Sequence, residues 1–209
     1  MKRRRQSFLA LIAAMFAVAS AVPAPALPVL SVFPSLEKVH VGQDFVVDIV
    51  ISGLEGDLAL GAFDFTFEYD PLLLTFNTLG FGNQLDLMGL GTVSDFSSNP
   101  DPALGLVNLF EISLDSVASL QTLQLDSFLL ARLSFTGLNS GISDLDFAAL
   151  TLSDPFGSML SASVIPATVE VAAPTTIALL TIGLATIVLA PRLAPGLSAL
   201  QVVDPDKTT

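Results

Sequence analysis

The chain has 209 residues with 20 acidic and 8 basic side chains, a net charge of −12, no cysteine and a single histidine. Because negative charge repels the phosphate backbone, this composition excludes nucleic acid as a partner. It also excludes a disulfide framework, a thiol nucleophile and a histidine-based zinc site, so an apolar core or bound ions must hold the fold together.

Residues 1–21 are typical of a signal peptide. A basic head at 2–5 precedes an apolar stretch at 8–19, and small residues at 19 and 21 form a cleavage site. We predict export, with a mature chain that begins near Val22 and carries four basic against twenty acidic residues, a net charge of about −16. An uncleaved anchor is the alternative, although the apolar stretch is short for a hydrocarbon layer of about 30 Å.

Between residues 28 and 171 the hydrophobic pattern has a period of two, which is typical of half-buried strands. At 43–52 apolar and acidic residues alternate, and at 62–69 phenylalanines alternate with outward-facing Asp64, Thr66 and Glu68. Further strands are predicted at 105–114, 128–136, 145–152 and 162–171. In the strand at 128–136 the residues expected to face inward are Leu129, Ala131, Leu133 and Phe135.

Turn residues separate these strands, and no long helical pattern interrupts them. Eight or nine short strands in one domain predict an all-β fold, a two-sheet antiparallel β-sandwich of jelly-roll type. Residues 114–126 are expected to form a short helix or an irregular crossover. Residues 80–98 are expected to form a glycine-rich loop or a weak hairpin.

Residues 172–190 form an uncharged apolar run. As a helix this run would be about 28 Å long, which is enough to span a bilayer. We therefore predict a transmembrane helix, followed by a short tail at 191–209. A buried strand pair or a core helix is the alternative for a run of this length.

Two parts of the central region resemble cohesin domains. Residues 42–54 and 62–76 are similar to their opening strands, including a turn formed by Tyr69, Asp70 and Pro71. Residues 120–135 resemble a later strand of cohesin-like proteins that bacteria export with a PEP-CTERM sorting signal. The C-terminus itself resembles that signal, with Ala172-Ala173-Pro174 in place of Pro-Glu-Pro and Arg192 in place of a basic cluster.

The resemblance implies a non-catalytic binding or structural module at the cell surface or in the extracellular matrix, holding a protein partner on one sheet face. The C-terminal helix would anchor it in the membrane or be removed by a sorting enzyme. We expect the contact surface on the acidic sheet face or in the loop at 80–98. The candidate residues are Asp64, Thr66, Glu68, Phe81 and Phe96.

A carbohydrate-binding module that associates with polysaccharide is the alternative function. Sugar platforms use tryptophan or tyrosine faces, whereas this chain has no tryptophan and only Tyr69, for which packing is the expected role. A glycoside hydrolase is a third hypothesis, and it needs two carboxylates about 5–10 Å apart. Asp64 and Glu68 lie about 13 Å apart along their strand, which leaves only pairs drawn from different strands.

Calcium is the cofactor that suits an acidic, exported and disulfide-free sandwich, because it takes oxygen ligands from loop edges. The candidate ligands are Asn139, Asp144 and Asp146, or alternatively Asn99 and Asp101. Solvated turn carboxylates are the competing interpretation of both groups. His40 is expected to be a surface or turn residue, and Asp70 to bond backbone amides of its own turn.

Overall fold

The computed structural model describes residues 27–97 and 104–173. The predicted signal peptide, the tail, and the predicted transmembrane helix beyond Ala173 lie outside these residues, as do Asn99 and Asp101. Among the described residues, no helix has both the length and the hydropathy to cross a bilayer.

The described chain forms eleven strands and one short helix. They are β1 (Val29–Pro34), β2 (Lys38–His40), β3 (Asp44–Ser52), β4 (Ala62–Glu68), β5 (Leu74–Phe81), β6 (Thr92–Ser97), β7 (Leu106–Ser113), α1 (Val117–Leu123), β8 (Ser127–Gly137), β9 (Gly141–Ser153), β10 (Ser163–Ile165) and β11 (Ala167–Ala172).

The strands build the predicted two-sheet sandwich. A five-stranded sheet has the order β10, β1, β3, β8, β5, and a six-stranded sheet has the order β2, β11, β9, β4, β7, β6. Most neighbours are antiparallel, as expected, but β10 pairs with β1 in parallel and β2 pairs with β11 in parallel. The prediction of a purely antiparallel fold with eight or nine strands was therefore wrong at the sheet edges, where three-residue strands are too short to show a period.

The core lies between the sheets and is rich in aromatic rings. In β4 the alternation is as predicted, because Phe63, Phe65 and Phe67 are buried while Asp64 and Glu68 are exposed. Phe135 of β8 is fully buried at the centre of a ring cluster, with centroids 5.1–6.2 Å from its neighbours. This spacing is the favourable range for aromatic pairs, and the cluster joins the two sheets.

Strand β8 corrects one predicted orientation. Leu129 was expected to face inward, yet Leu130 is the buried residue and Leu129 is only half-buried. The pairing with β3 shifts at this point, since Ile49 lies opposite Ala131 and the next residue lies opposite Leu129. Such a β-bulge inserts one residue and reverses the alternation on one side of it, so a strict period of two gives the wrong face.

Two other segments also differ from expectation. Residues 80–98 are neither a simple loop nor a hairpin, because β5 is an edge strand of the five-stranded sheet and β6 is an edge strand of the six-stranded sheet. The connection crosses from one sheet to the other.

The single strand predicted at 162–171 is split at Pro166 into β10 and β11, which also lie in different sheets. Proline lacks the amide hydrogen that a continuous ladder requires.

Candidate functional site

The broad outer face of β9, β4, β7 and β6 is the surface on which the predicted acidic residues lie. Asp64 lies between Phe110 of β7 and Thr151 of β9 in the sheet register. Further along β4, Thr66 is flanked by Asn108 and Ala149, and Glu68 by Leu106 and Asp146. We call this surface the outer face; its residues at the end of β4 form the acidic end, and those beside the start of β4 form the apolar end.

At the acidic end, Glu68 and Asp146 lie directly opposite each other on neighbouring strands. Side chains in this position have Cβ atoms about 5 Å apart, so the two exposed carboxylates repel. Asp144 is two residues away on the same side of β9, and Asp70 follows β4. These four carboxylates line a cleft of about 450 Å³, together with Leu104 and Ile142.

The turn after β4 shapes this cleft. Asp70 accepts a 2.8 Å hydrogen bond from the Leu72 amide, as predicted for a residue that stabilises its own turn. Its own amide donates to the Ser143 hydroxyl of β9 at 3.0 Å, which ties the turn to the neighbouring strand. Gly105 packs against Tyr69 with φ +65°, where an added Cβ would lie 1.9 Å from the Tyr69 carbonyl oxygen. Only glycine therefore allows β7 to begin so close to this turn.

In the middle of the outer face, an asparagine of β7 holds the β4 side chains in place. The Asn108 side-chain amide donates to Asp64 Oδ1 at 3.0 Å and lies 3.3 Å from Thr66 Oγ1. Sequence reasoning missed Asn108, because the alternation in β7 marks it as outward-facing but does not show which residue lies opposite.

The other end of the outer face is apolar. Val93 of β6 and Ile112 of β7 are register partners, and both side chains are about half exposed. Ile112 also lines a small depression of about 130 Å³, together with Ala62, Phe63, Asp64, Phe110, Thr151 and Ser153. The outer face thus changes from carboxylates to apolar groups along the length of β4.

The structure separates the predicted contact residues. Asp64, Thr66 and Glu68 lie on the outer face, and Phe96 belongs to β6 at its edge. Phe81 does not belong there, because it ends β5 in the other sheet and packs against the core near Phe63. The exposed apolar side chains of the loop after β5 are Met88 and Leu90.

The structure places the described calcium candidates on two different elements. Asp144 and Asp146 lie on the outer face, whereas Asn139 lies in the turn before β9 and its amide donates to the Leu72 carbonyl oxygen at 2.6 Å. The Asn139 amide is thus engaged by the turn after β4, away from the strand positions of Asp144 and Asp146. Within the two described ranges, no three acidic, histidine or cysteine side chains converge as they would around a metal.

Tyr69 and His40 have the roles that the sequence predicted. Tyr69 is 6% exposed and packs edge-on against Phe135, and this burial raises the pKa of its hydroxyl, opposed by a hydrogen bond with the Phe76 backbone. Its ring is therefore a core component and cannot stack on a sugar. His40 is exposed at the end of β2, where its amide donates to the Gln43 side chain.

No protein-family model and no curated protein matches the chain. Solved structures do match it. A type II cohesin domain from the cellulosome of Acetivibrio cellulolyticus is similar with a TM-score of 0.59 at 16% identity, covering 69% of this chain and 95% of the cohesin. The fold is the cohesin fold.

Cohesins from other sources are similar to nearly the same extent. One is a type I cohesin from Clostridium thermocellum, solved as a cohesin–dockerin complex, with a TM-score of 0.56 at 14% identity over 70% of this chain and 100% of the other. Another is a non-cellulosomal cohesin from Archaeoglobus fulgidus, with a TM-score of 0.54 at 13% identity, covering 75% of this chain and 98% of the cohesin. At sequence identities this low, the similarity shows the fold alone. For the fold, the predicted resemblance to cohesins is confirmed.

Proposed function

We propose that this protein is a non-catalytic binding module of the bacterial cell surface, which holds a protein partner on the outer face. The observation that carries the proposal is the combination of the cohesin fold with a broad sheet face that carries carboxylates at one end and apolar side chains at the other. Similar cohesins have been solved in complex with dockerins. By analogy, the partner is a dockerin-like protein segment.

The charges of the outer face define the kind of partner. In residues 27–97 and 104–173, the strong bases Lys38 and Arg132 form ion pairs of 2.6 Å with Glu170 and Asp48. The acidic end therefore has no basic side chain of its own to neutralise it. A partner that places lysine or arginine there and apolar side chains beside Ile112 would complement the outer face along its length.

The two other functions receive less support. A polysaccharide would need an aromatic platform, and Tyr69 is buried in the core. A hydrolase would need one carboxyl group that burial keeps protonated. Glu68 and Asp146, which lie opposite each other on the outer face, are both exposed to water. A protein partner makes use of both ends of the outer face.

The surface location rests on the sequence of the two ends of the chain. A signal peptide at 1–21 directs export, and the apolar run that begins at Ala172 either anchors the mature chain in the membrane or is cleaved by a sorting enzyme. The sandwich would then act in the cell envelope or in the extracellular matrix.

The decisive experiment compares two double variants of the full chain that have the same change in charge. Asp144→Lys with Asp146→Lys reverses the acidic end, and Glu55→Lys with Asp57→Lys reverses two exposed carboxylates of the β3–β4 loop. Each immobilised protein is incubated with envelope extract of its host, and bound proteins are identified after cross-linking.

We expect the wild type and the loop variant to retain one common partner, and the acidic-end variant to lose it. The substitution Ile112→Ser at the apolar end should weaken the same capture at least about tenfold, as for a central interface residue. Equal capture by all variants, or equal loss by both double variants, would contradict the outer face as the binding site.

A further inference from the structure

The turn that follows β9, residues 154–158, is fixed by its own hydrogen bonds. Asp154 accepts hydrogen bonds at Oδ1 from the amides of Phe156 at 2.9 Å and Ser158 at 2.8 Å. The Asp154 amide donates to the Ser158 carbonyl oxygen at 2.9 Å, and Gly157 supplies a φ of +82°. This ordered turn nevertheless leaves two large apolar side chains in water, since Phe156 is 70% exposed and Met159 is 84% exposed.

The same turn lies against the start of β4. The Gly61 amide donates to the Ser153 carbonyl oxygen at 2.8 Å, and a Cβ added at Gly61 would lie 2.7 Å from the Asp154 carbonyl oxygen. Such a close approach of two backbones requires glycine. The turn is therefore packed beside the apolar end of the outer face.

Met159 continues a row of residues that crosses the outer face. It forms an isolated antiparallel bridge with Ser153, the last residue of β9. In the register, Ser153 lies opposite Ala62 of β4, and Ala62 lies opposite Ile112 of β7. Val93 of β6 completes the row beside Ile112. Since neighbouring strands are about 4.8 Å apart, Met159 and Ile112 lie about 14 Å apart across the sheet.

The pairing next to this bridge shows which way the Met159 side chain points. The Leu160 amide donates to the Leu152 carbonyl oxygen at 2.9 Å. Leu152 is buried, and Leu160 packs against the core. Because side chains alternate along a strand, Met159 and Ser153 face outward, and Ser153 lines the depression at the apolar end with Ile112. Met159 therefore belongs to the apolar end of the outer face.

Sulfur is scarce in this chain, which makes the position of Met159 chemically distinctive. The sequence has no cysteine, and two of its four methionines lie in residues 1–21. The other two are Met88, which is 55% exposed in the loop after β5, and Met159, which is 84% exposed. A thioether that is open to water can be oxidised to a sulfoxide, which turns an apolar side chain into a polar one.

We propose that Met159 is an oxidation site, and that its conversion to methionine sulfoxide weakens binding at the apolar end of the outer face. The oxidant is a peroxide. Its O–O bond breaks as one oxygen bonds to the thioether sulfur, which is oxidised, and the other oxygen is reduced and leaves as water. A methionine sulfoxide reductase reverses the step with two thiol groups, which form a disulfide while the sulfoxide oxygen leaves as water.

The effect on binding rests on the proposed function, whereas the oxidation of Met159 does not. In a complex, the sulfoxide oxygen would lie among apolar side chains of the partner and of Ile112. A hydrogen-bond acceptor that is buried without a donor is costly, so the oxidised face should bind about tenfold more weakly.

The first test needs no partner. The full chain is treated with hydrogen peroxide, and the sulfoxide at each methionine is followed over time by peptide mass spectrometry. We expect Met159 to be oxidised faster than Met88, because its side chain is the more exposed. The urea midpoint of the oxidised protein should be unchanged, since Met159 is not part of the core.

The second test repeats the capture of envelope proteins with protein that was oxidised before immobilisation. The oxidised wild type should capture the common partner about tenfold less, and reduction by a methionine sulfoxide reductase with a thiol should restore capture. Met159→Leu keeps an apolar side chain of similar volume that peroxide does not oxidise, so its capture should survive the treatment. Met88→Leu is the matched control and should lose capture as the wild type does.

Four outcomes would overturn the proposal. They are slower oxidation at Met159 than at Met88, undiminished capture by the oxidised wild type, an equal loss of capture in oxidised Met159→Leu, and a lower urea midpoint after oxidation, which would assign the loss to unfolding. A failure of the unoxidised wild type to capture any partner would contradict the proposed function, and with it the effect of the sulfoxide on binding. The rates of oxidation would still decide the site itself.

Discussion

At the scale of single residues, Glu68 and Asp146 place two exposed carboxylates directly opposite each other on β4 and β9. Like charges in this arrangement destabilise a sheet. The ion pairs of Lys38 and Arg132 lie elsewhere, so nothing basic in the described ranges offsets the repulsion. A cationic partner group would relieve it, which is a reason for such a pair to be found on a binding face.

We therefore predict that Glu68→Gln stabilises the free protein while weakening partner capture. The free energy of unfolding, measured by urea denaturation at low salt, should rise by about 0.5 kcal/mol because one cross-strand repulsion is removed. The gain should shrink at high ionic strength, where the repulsion is screened. Glu55→Gln, an exposed residue outside the strands, is the matched control, and a loss of stability in Glu68→Gln would contradict the argument.

At the scale of elements, the bulge in β8 decides which of two adjacent leucines belongs to the core. Leu130 is 1% exposed, whereas Leu129 lies half-buried opposite Val50. The bulge lets both Leu130 and Ala131 face the interior, which a regular strand does not allow. It adds apolar surface to the core near the centre of the five-stranded sheet.

The bulge predicts unequal costs for two otherwise identical substitutions. Leu130→Ala should lower the free energy of unfolding by about 2–5 kcal/mol, because it leaves a cavity between the sheets. Leu129→Ala should cost about 1 kcal/mol or less, since its side chain is partly solvated already. Chemical denaturation of both variants provides the comparison. Equal costs, or the reverse order, would favour the regular alternation.

At the scale of the whole molecule, the sandwich carries a large negative charge and no disulfide. Its stability comes from apolar packing between the sheets, centred on the ring cluster around Phe135. Because the chain has no cysteine, formation of this core requires no oxidation. The prediction that the chain is exported and then tethered or released rests on the sequence before residue 27 and after residue 173.

Intact mass spectrometry and fractionation of the native host test the prediction that residues 1–21 are removed and that the C-terminal segment is either kept as an anchor or cleaved. We expect a mature protein that begins near Val22, because the small residues at 19 and 21 suit signal peptidase. The control substitution Ala21→Arg should block cleavage and leave residues 1–21 attached. A mass that ends before residue 174 would indicate processing by a sorting enzyme, and retention in the membrane fraction would indicate a simple anchor. A wild-type mass that still includes the first 21 residues would contradict cleavage.

Strands with a regular period could be predicted from the sequence because alternation is a local property. The pattern of β4 placed Asp64, Thr66 and Glu68 outside and three phenylalanines inside, and the structure agrees. Leu129 was assigned to the wrong face because a bulge depends on the partner strand. Phe81 was expected in a loop, but its strand is defined by pairing with β8.

The sequence by itself determined the all-β class, the acidic surface and the scarcity of catalytic groups, since composition and short-range periodicity carry this information. Only the tertiary structure decided which residues meet across strands, because pairing joins positions far apart in the chain. Glu68 meets Asp146 through a contact of this kind. The repulsion in this pair depends on the strand register and on where the bases of the described ranges lie, which are properties of the packed molecule rather than of any local segment.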